Sequence, residues 1–260
     1  MNLQRIRVQW ASLQSIAEAQ PTFNQFNSRW FSVSSSIGES RFKREKAVRR
    51  IISPAISNFY LQLTLSNGKM SKRDQAIFIH LLQQEFLKLL RTAYLFGIES
   101  AYQSLGFYPQ FSTAPKFRLP ISIESSLKIR ARQSATFFVL TSLNLLRLKK
   151  FQNVKKRIYR WRGWRLSLVA NREFGFAYSQ ARWDVFFNSK ISRKRWICVY
   201  DDRTRDEHLI NARVGWIPLN QKFPSGVFSP GIRDKDSFGC RCSLEPSFMD
   251  FRVDNLWVGG

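Results

Sequence analysis

The chain has 260 residues, 44% of them hydrophobic, which is enough to bury a core and argues against a disordered tail. Its 42 Lys and Arg against 18 Asp and Glu leave a net charge of +24 at pH 7. A surplus of that size repels itself unless a polyanion is at hand, so nucleic acid is the partner to expect. The three cysteines are an odd number, with two of them separated by a single residue. That pattern argues against a secreted disulfide framework and fits a reducing compartment.

Taken in chain order, Met1 to Arg5 leads into Trp10 and polar residues without an apolar run ending at a cleavage site, so no signal peptide is expected. Residues 21–40 are rich in Ser, Asn, Gln and Phe without a clear period and read as a loop or arm within an N-terminal segment, 1–40. Between 43 and 65, Val48, Ile51, Ile52, Ala55 and Phe59 recur at helical spacing, and Pro54 is expected to kink or split that helix. Ser66-Asn67-Gly68 is a turn.

Ser71 and Asp74 form a capping pair ahead of a helix over 72–104, whose apolar face is Ile77, Leu81, Phe86, Leu89, Ala93 and Phe96. Gly106 ends it. Pro109, Pro115 and Pro120 make 106–120 a connection or arm. A further helix over 123–150 turns Ala135, Phe138, Val139, Ser142, Leu145 and Leu146 toward a core. The longest apolar patch, Phe137 to Leu146, is about half of the roughly 20 residues needed to cross a bilayer, so no membrane contact is expected.

Gly163 is expected to interrupt the chain before a helix over 164–189 that buries Leu168, Phe174, Ala177, Tyr178, Ala181 and Phe186. From Arg195 the texture changes to short extended runs, 196–200 and 214–219, separated by turns. The fold class implied is a mainly α-helical body with a small C-terminal α+β module of short strands. Its parts are a basic helical domain, 41–190, and a terminal module, 191–260, with the boundary near 189–195.

The charge is uneven. Residues 1–200 hold 34 Lys and Arg against 9 Asp and Glu, while 201–260 hold 8 against 9. Residues 125–172 carry thirteen basic side chains and no acidic one. Lys149, Lys150, Lys155, Lys156, Arg157, Arg160, Trp161, Arg162 and Arg165 are the DNA-binding candidates, because Tyr159, Trp161 and Trp164 interleave with the cations. That mixture suits phosphate contacts with stacking or cation–π packing, independent of base sequence and weakened by salt. The alternative is a solvated helix face. No helix-turn-helix or other base-reading motif is present.

In the terminal module, His208, Cys198, Cys240 and Cys242 make a possible one-His, three-Cys zinc set that would staple a small unit with little core. Against it, Cys-x-Cys brings both sulfurs to one tetrahedral ion only if the backbone turns between them, and the usual spacing is Cys-x2-Cys. The other reading puts Cys240 and Cys242 on one face of a strand with Arg241 on the other, Asp202 and His208 holding loops, and Thr204 capping the turn that bears His208. An HNH-type nuclease would need a second local histidine, but the only other one is His80, and the His-Glu-x-x-His of zinc proteases is absent. No enzyme is expected; the alternative is a metal-dependent nucleic-acid-processing enzyme using Asp202, His208 and the cysteines.

Residues 194–246 read KRWICVYDDRTRDEHLINARVGWIPLNQKFPSGVFSPGIRDKDSFGCRCSLEP. The spaced Trp196, Asp202, Arg203, Thr204, Arg205, His208, Gly215, Phe223, Pro230-Gly231 and Cys240-Arg241-Cys242 resemble the C-terminal domain of the phage Mu F-like minor head (head morphogenesis) family. The resemblance spans 166–246, with Ala170-Asn171-Arg172-Glu173 standing where the family usually has Ala-Arg-Thr-Glu. It implies a structural minor head protein of a tailed phage, inside the virion head near the portal and present in the bacterial host cytoplasm during assembly. Portal and capsid or scaffold proteins and packaged double-stranded DNA would be its partners. Head assembly, genome packaging or ejection would be its task, and the motif residues would be structural.

Overall fold

The computed structural model describes residues 26–106, 119–147, 154–189, 191–198, 204–231, 240 and 242–247, with side chains from 45 onward apart from 146, 147, 154–157 and 159–162. Among these, four long helices come first: α1 (Phe26–Leu65), α2 (Lys72–Ser104), α3 (Ile121–Arg147) and α4 (Val154–Asn188). Then follow β1 (Arg193–Ile197), the short helix α5 (Asp206–Arg213), β2 (Ile217–Pro218) and β3 (Ser243–Ser247). The protein is mainly helical with a small antiparallel sheet near its C-terminal end, in the order β2-β1-β3. This is the architecture that the change of texture after residue 190 predicts.

The start of α2 follows from its cap. Ser71 adopts extended backbone and its hydroxyl accepts from the Asp74 amide at 3.1 Å, satisfying one of the amides a helix leaves open at its N-terminus. Before it, Asn67 and Gly68 take positive φ to reverse the chain, and Gly106 does the same after α2. The proline-rich connection expected after Gly106 falls, at 107–118, outside the described residues.

Three expectations are corrected. The stretch 21–40 is helical from Phe26 onward rather than a loop, because extending an existing helix adds one hydrogen bond per residue fixed while only nucleation is costly. Ser and Asn lower the propensity of that stretch without breaking it, and it contains no proline after Pro21. Pro54 does not split α1, with Ile52 and Ile56 fully buried on either side of it. Gly163 lies inside α4 instead of interrupting it: a mid-helix glycine costs only about 1 kcal/mol, which burial of Ile158, Val169 and Phe174 along the same helix offsets.

Helix α2 packs against α1, α3 and α4, and α1 also packs along α4. Phe59 joins three of these helices, with its ring 5.5 Å from Phe78 and 5.7 Å from Phe138, both edge-on. The predicted faces hold at Val48, Ile52, Phe86, Leu89, Ala93, Ala135, Phe138, Val139, Phe174, Ala177, Tyr178, Ala181 and Phe186. They fail at Ile77, Leu81 and Leu145, which are exposed because the core-facing stripe is centred on Leu82, Leu90 and Leu143 instead.

Several polar and charged groups inside the bundle are paired. Glu173 is fully buried between Arg130, at 2.7 Å, and Arg172, at 2.6 Å. Tyr94 donates to Asp184 at 2.6 Å, and burial pushes the Asp184 carboxyl above the usual carboxylate range. Arg182 reaches from α4 to Ser100 and Ser104 on α2 and donates to the Leu244 carbonyl of β3 at 2.8 Å. The sheet is thereby bolted to the helices.

At the α2–α4 crossing, a Cβ on Gly97 would lie 2.4 Å from the Tyr178 carbonyl oxygen and 2.7 Å from the Ala181 Cβ, so the two backbones approach as only glycine permits. Around Gly163 a Cβ would meet nothing within 4 Å. Gly97→Ala is expected to destabilise the protein by ~1–3 kcal/mol. Gly163→Ala is expected to stabilise it by ~1 kcal/mol. Urea unfolding of the two variants side by side checks both signs.

Candidate metal centre

Strand β1 alternates: Lys194, Trp196 and Cys198 turn inward while Arg193, Arg195 and Ile197 are half-buried on the other face. Strand β3 pairs with it antiparallel, Trp196 opposite Leu244 and Ile197 opposite Ser243. One step further, Cys198 stands across from Cys242, and their sulfurs are 3.4 Å apart. Cys240 and Cys242 share the inner face with Leu244, and all three are buried.

Helix α5 delivers the imidazole. It begins after Arg205, whose extended backbone makes it the N-cap without a side-chain capping bond, so the cap is Arg205 and not Thr204. Asp206 and Glu207 in the first turn suit the positive end of the helix dipole. His208 is 2% exposed, its ring 5.2 Å from that of Trp196, and Trp196 in turn meets Phe223 edge-on at 5.0 Å. Nδ1 of His208 lies 3.4 Å from the Cys242 sulfur and 3.7 Å from that of Cys240. Nε2 is buried without a hydrogen-bond partner.

His208, Cys240 and Cys242 therefore form a buried group whose ligand atoms all lie within 4.8 Å of one another and which can hold a metal ion. The Cys-x-Cys objection is met by the positions of the sulfurs themselves, since those of Cys240 and Cys242 both lie beside His208 Nδ1, at 3.7 and 3.4 Å. Cys198 stands beside this group, its thiol donating to the His208 carbonyl at 3.1 Å. A hydrogen bond from Cys242 pulls the Cys198 thiol below its ordinary value, and the same bond pushes Cys242 up to about 11. The joint burial of Cys240 and Cys242 agrees with the inner-face reading as well as with the metal-ligand reading. Asp202, Arg203 and Arg241 lie outside the described residues; Gly215 takes a positive φ of 73° at the end of α5.

Lys194 is a residue that sequence reasoning missed. It is fully buried, donates to the Phe228 carbonyl at 2.9 Å, and its ammonium sits 4.4 Å from the Trp183 ring and 5.1 Å from those of Phe223 and Phe228. Desolvation pushes its ammonium down to about 7, although three ring faces favour the charge. The available signal was parity: Lys194 shares the inward face of β1 with Trp196.

The basic window divides. Lys155, Lys156, Arg157, Arg160, Trp161 and Arg162 lie on the first turns of α4, with Lys149 and Lys150 outside the described residues. Arg165 is corrected: it is 7% exposed, donates to Thr141 at 2.7 Å and lies over the Phe138 ring, so it braces α4 against α3 instead of facing a phosphate. Trp164 beside it is 62% exposed. Among the described residues no helix is long and apolar enough to cross a membrane. No protein-family model, curated protein or solved structure matches this chain.

For Lys194 the sign of the pH dependence follows from its depressed value. Between about 7 and the unfolded value of ~10.4 the unfolded chain holds more protons, so stability rises with pH through that window, and the penalty is complete below it. Lys194→Met is expected to flatten that slope and to stabilise the protein by roughly 1–4 kcal/mol at pH 7. Urea midpoints measured from pH 6 to 10 check it.

Proposed function

We propose that this chain is a structural minor head (head morphogenesis) protein of a tailed phage, lying inside the capsid near the portal. Its basic helical body would make sequence-independent contacts with packaged double-stranded DNA during head assembly, packaging or ejection. The observation that carries this reading is the convergence of the spaced pattern that resembles the Mu F-like module. Trp196, His208, Phe223, Cys240 and Cys242, scattered over 47 positions of sequence, are neighbours in one buried knot. Gly231, from the same pattern, abuts α4 so closely that a Cβ there would lie 3.1 Å from the Gly175 carbonyl oxygen. Such a pattern behaves as the core of a module, which suits a structural protein.

The charge supports the nucleic-acid half of the reading. The first turns of α4 carry Lys155, Lys156, Arg157, Arg160 and Arg162 without an acidic residue, on a chain of net charge +24. The ion proposed for the His208, Cys240 and Cys242 group is zinc, as a staple of the terminal module. Less supports a metal-dependent nuclease, since His208 is buried between thiols and an indole ring rather than presented to a substrate.

Two measurements test the proposal. The protein is expected to copurify with portal and procapsids, and to retard duplex DNA of any sequence in low salt. If it neutralises six phosphates, affinity should fall by about three orders of magnitude between 50 and 200 mM salt. Replacing Lys155, Lys156, Arg157, Arg160 and Arg162 together by Ala should lower both the affinity and the salt slope. Failure to associate with portal or procapsid, together with no retardation, would sink the reading.

A further inference from the structure

All three cysteines of the chain meet one of its two histidines in the same buried spot. They come from separate pieces of sequence, the end of β1, the first turn of α5 and the approach to β3, so their meeting is a product of folding. Tetrahedral zinc holds thiolate sulfur at ~2.3 Å and imidazole nitrogen at ~2.0–2.1 Å, which makes the sulfur–sulfur edge about 3.8 Å and the nitrogen–sulfur edge about 3.6 Å. The His208 Nδ1 edges to Cys242 and Cys240 are 3.4 and 3.7 Å, and the Cys198–Cys242 edge is 3.4 Å. Three of the six edges of a tetrahedron are thus drawn to within a few tenths of an ångström, while the Cys198 sulfur stands outside the group of His208, Cys240 and Cys242 whose ligand atoms all lie within 4.8 Å of one another.

Deepening the zinc reading above, on which it rests, we propose that the centre is closed by Cys198 as a fourth ligand, giving a one-nitrogen, three-sulfur structural zinc site. Cys198 is near its place but engaged elsewhere, its thiol donating to the His208 carbonyl. Ligation would exchange that hydrogen bond for the metal. The backbone already holds Cys198 across from Cys242, one step past the paired Ile197 and Ser243. Ligation converts each thiol to a thiolate and releases its proton to solvent, so loading is favoured as pH rises.

Closure decides the chemistry. Four protein ligands leave no position for water, whereas three ligands with an open fourth position would make a hydrolytic centre. The fourth ligand also ties β1 to α5 and β3 at one point. Metal loading and folding of the terminal unit then become a single event. Trp196, packed on the His208 ring, and Phe223 behind it shield the centre from solvent.

The experiment uses the full chain, purified under reducing conditions after growth with added zinc. Elemental analysis is expected to find about one zinc per chain, and native alkylation read by mass spectrometry should leave all three cysteines unmodified until a chelator exposes them together. In the cobalt-substituted protein, tetrahedral d–d bands are expected, and Cys198→Ala should remove about a third of the thiolate-to-cobalt absorption, because one of three sulfurs is lost. The same substitution should weaken the metal roughly tenfold or more. If chelator exposes only Cys240 and Cys242, or Cys198→Ala leaves the cobalt spectrum and affinity unchanged, the site has three protein ligands. The fourth-ligand assignment is then overturned while zinc stands. If the wild-type chain takes up neither zinc nor cobalt, the zinc reading falls with it. The alkylation pattern is read on the wild-type chain, so the assignment stays testable even if Cys198→Ala folds poorly.

Discussion

The guanidinium of Arg182 is the point through which the two halves of the protein hold each other. It projects from α4, takes Ser100 and Ser104 of α2 as acceptors, and spends another bond on the carbonyl of Leu244 in β3. The rings of Phe186 and Tyr178 lie 5.1 and 5.8 Å from it. A buried cation must be surrounded in this way, since its desolvation is worth several kcal/mol when left uncompensated. Helix, neighbouring helix and strand cannot shift independently without breaking part of that shell. The position of β3, and with it of Cys240 and Cys242, is inherited from the bundle.

The same theme recurs on either side. Glu173 is held between two arginines on the bundle side, and Lys194 is boxed by three aromatic rings within the module. Gly231 takes a positive φ and presses onto α4, where a Cβ would lie 3.1 Å from both the Gly175 carbonyl oxygen and the Ser179 hydroxyl. The terminal unit therefore has little need of a large core of its own. Trp196, Phe223, Ile217 and Leu244 are buried in it, together with the thiol–imidazole group of His208, Cys240 and Cys242. A metal ion there would add cohesion where apolar area is scarcest.

Local signals were readable where short-range chemistry decides them. Ser71 with Asp74, the positive-φ pair Asn67 and Gly68, and the period of Phe86, Leu89 and Ala93 gave α2 and its boundaries. The switch to short extended runs after residue 190 was equally local. Gly163 and Pro54 misled because a helix packed on both sides of a weak residue outweighs that residue's propensity. Arg165 misled for a related reason: its charge marked it for solvent, but Thr141 and Phe138 supplied partners that only packing brings near. Ile77 and Leu81 show that an apolar stripe predicts a face only to within a turn.

The sequence by itself determined the helical body, the small strand-containing end, the asymmetry of charge and the identity of the residues worth watching. Composition and periodicity are properties of neighbours along the chain, and they carry that much. Only the tertiary structure decided that His208, Cys240 and Cys242 converge on one point with Cys198 beside them, that both cysteines of the Cys-x-Cys pair face the same way, and that Lys194, Glu173 and Arg182 are buried. Those facts depend on strand register and helix crossing, which bring together groups from ten to more than eighty positions apart. Spacing in sequence can name such a set but cannot measure the distances that make it a site.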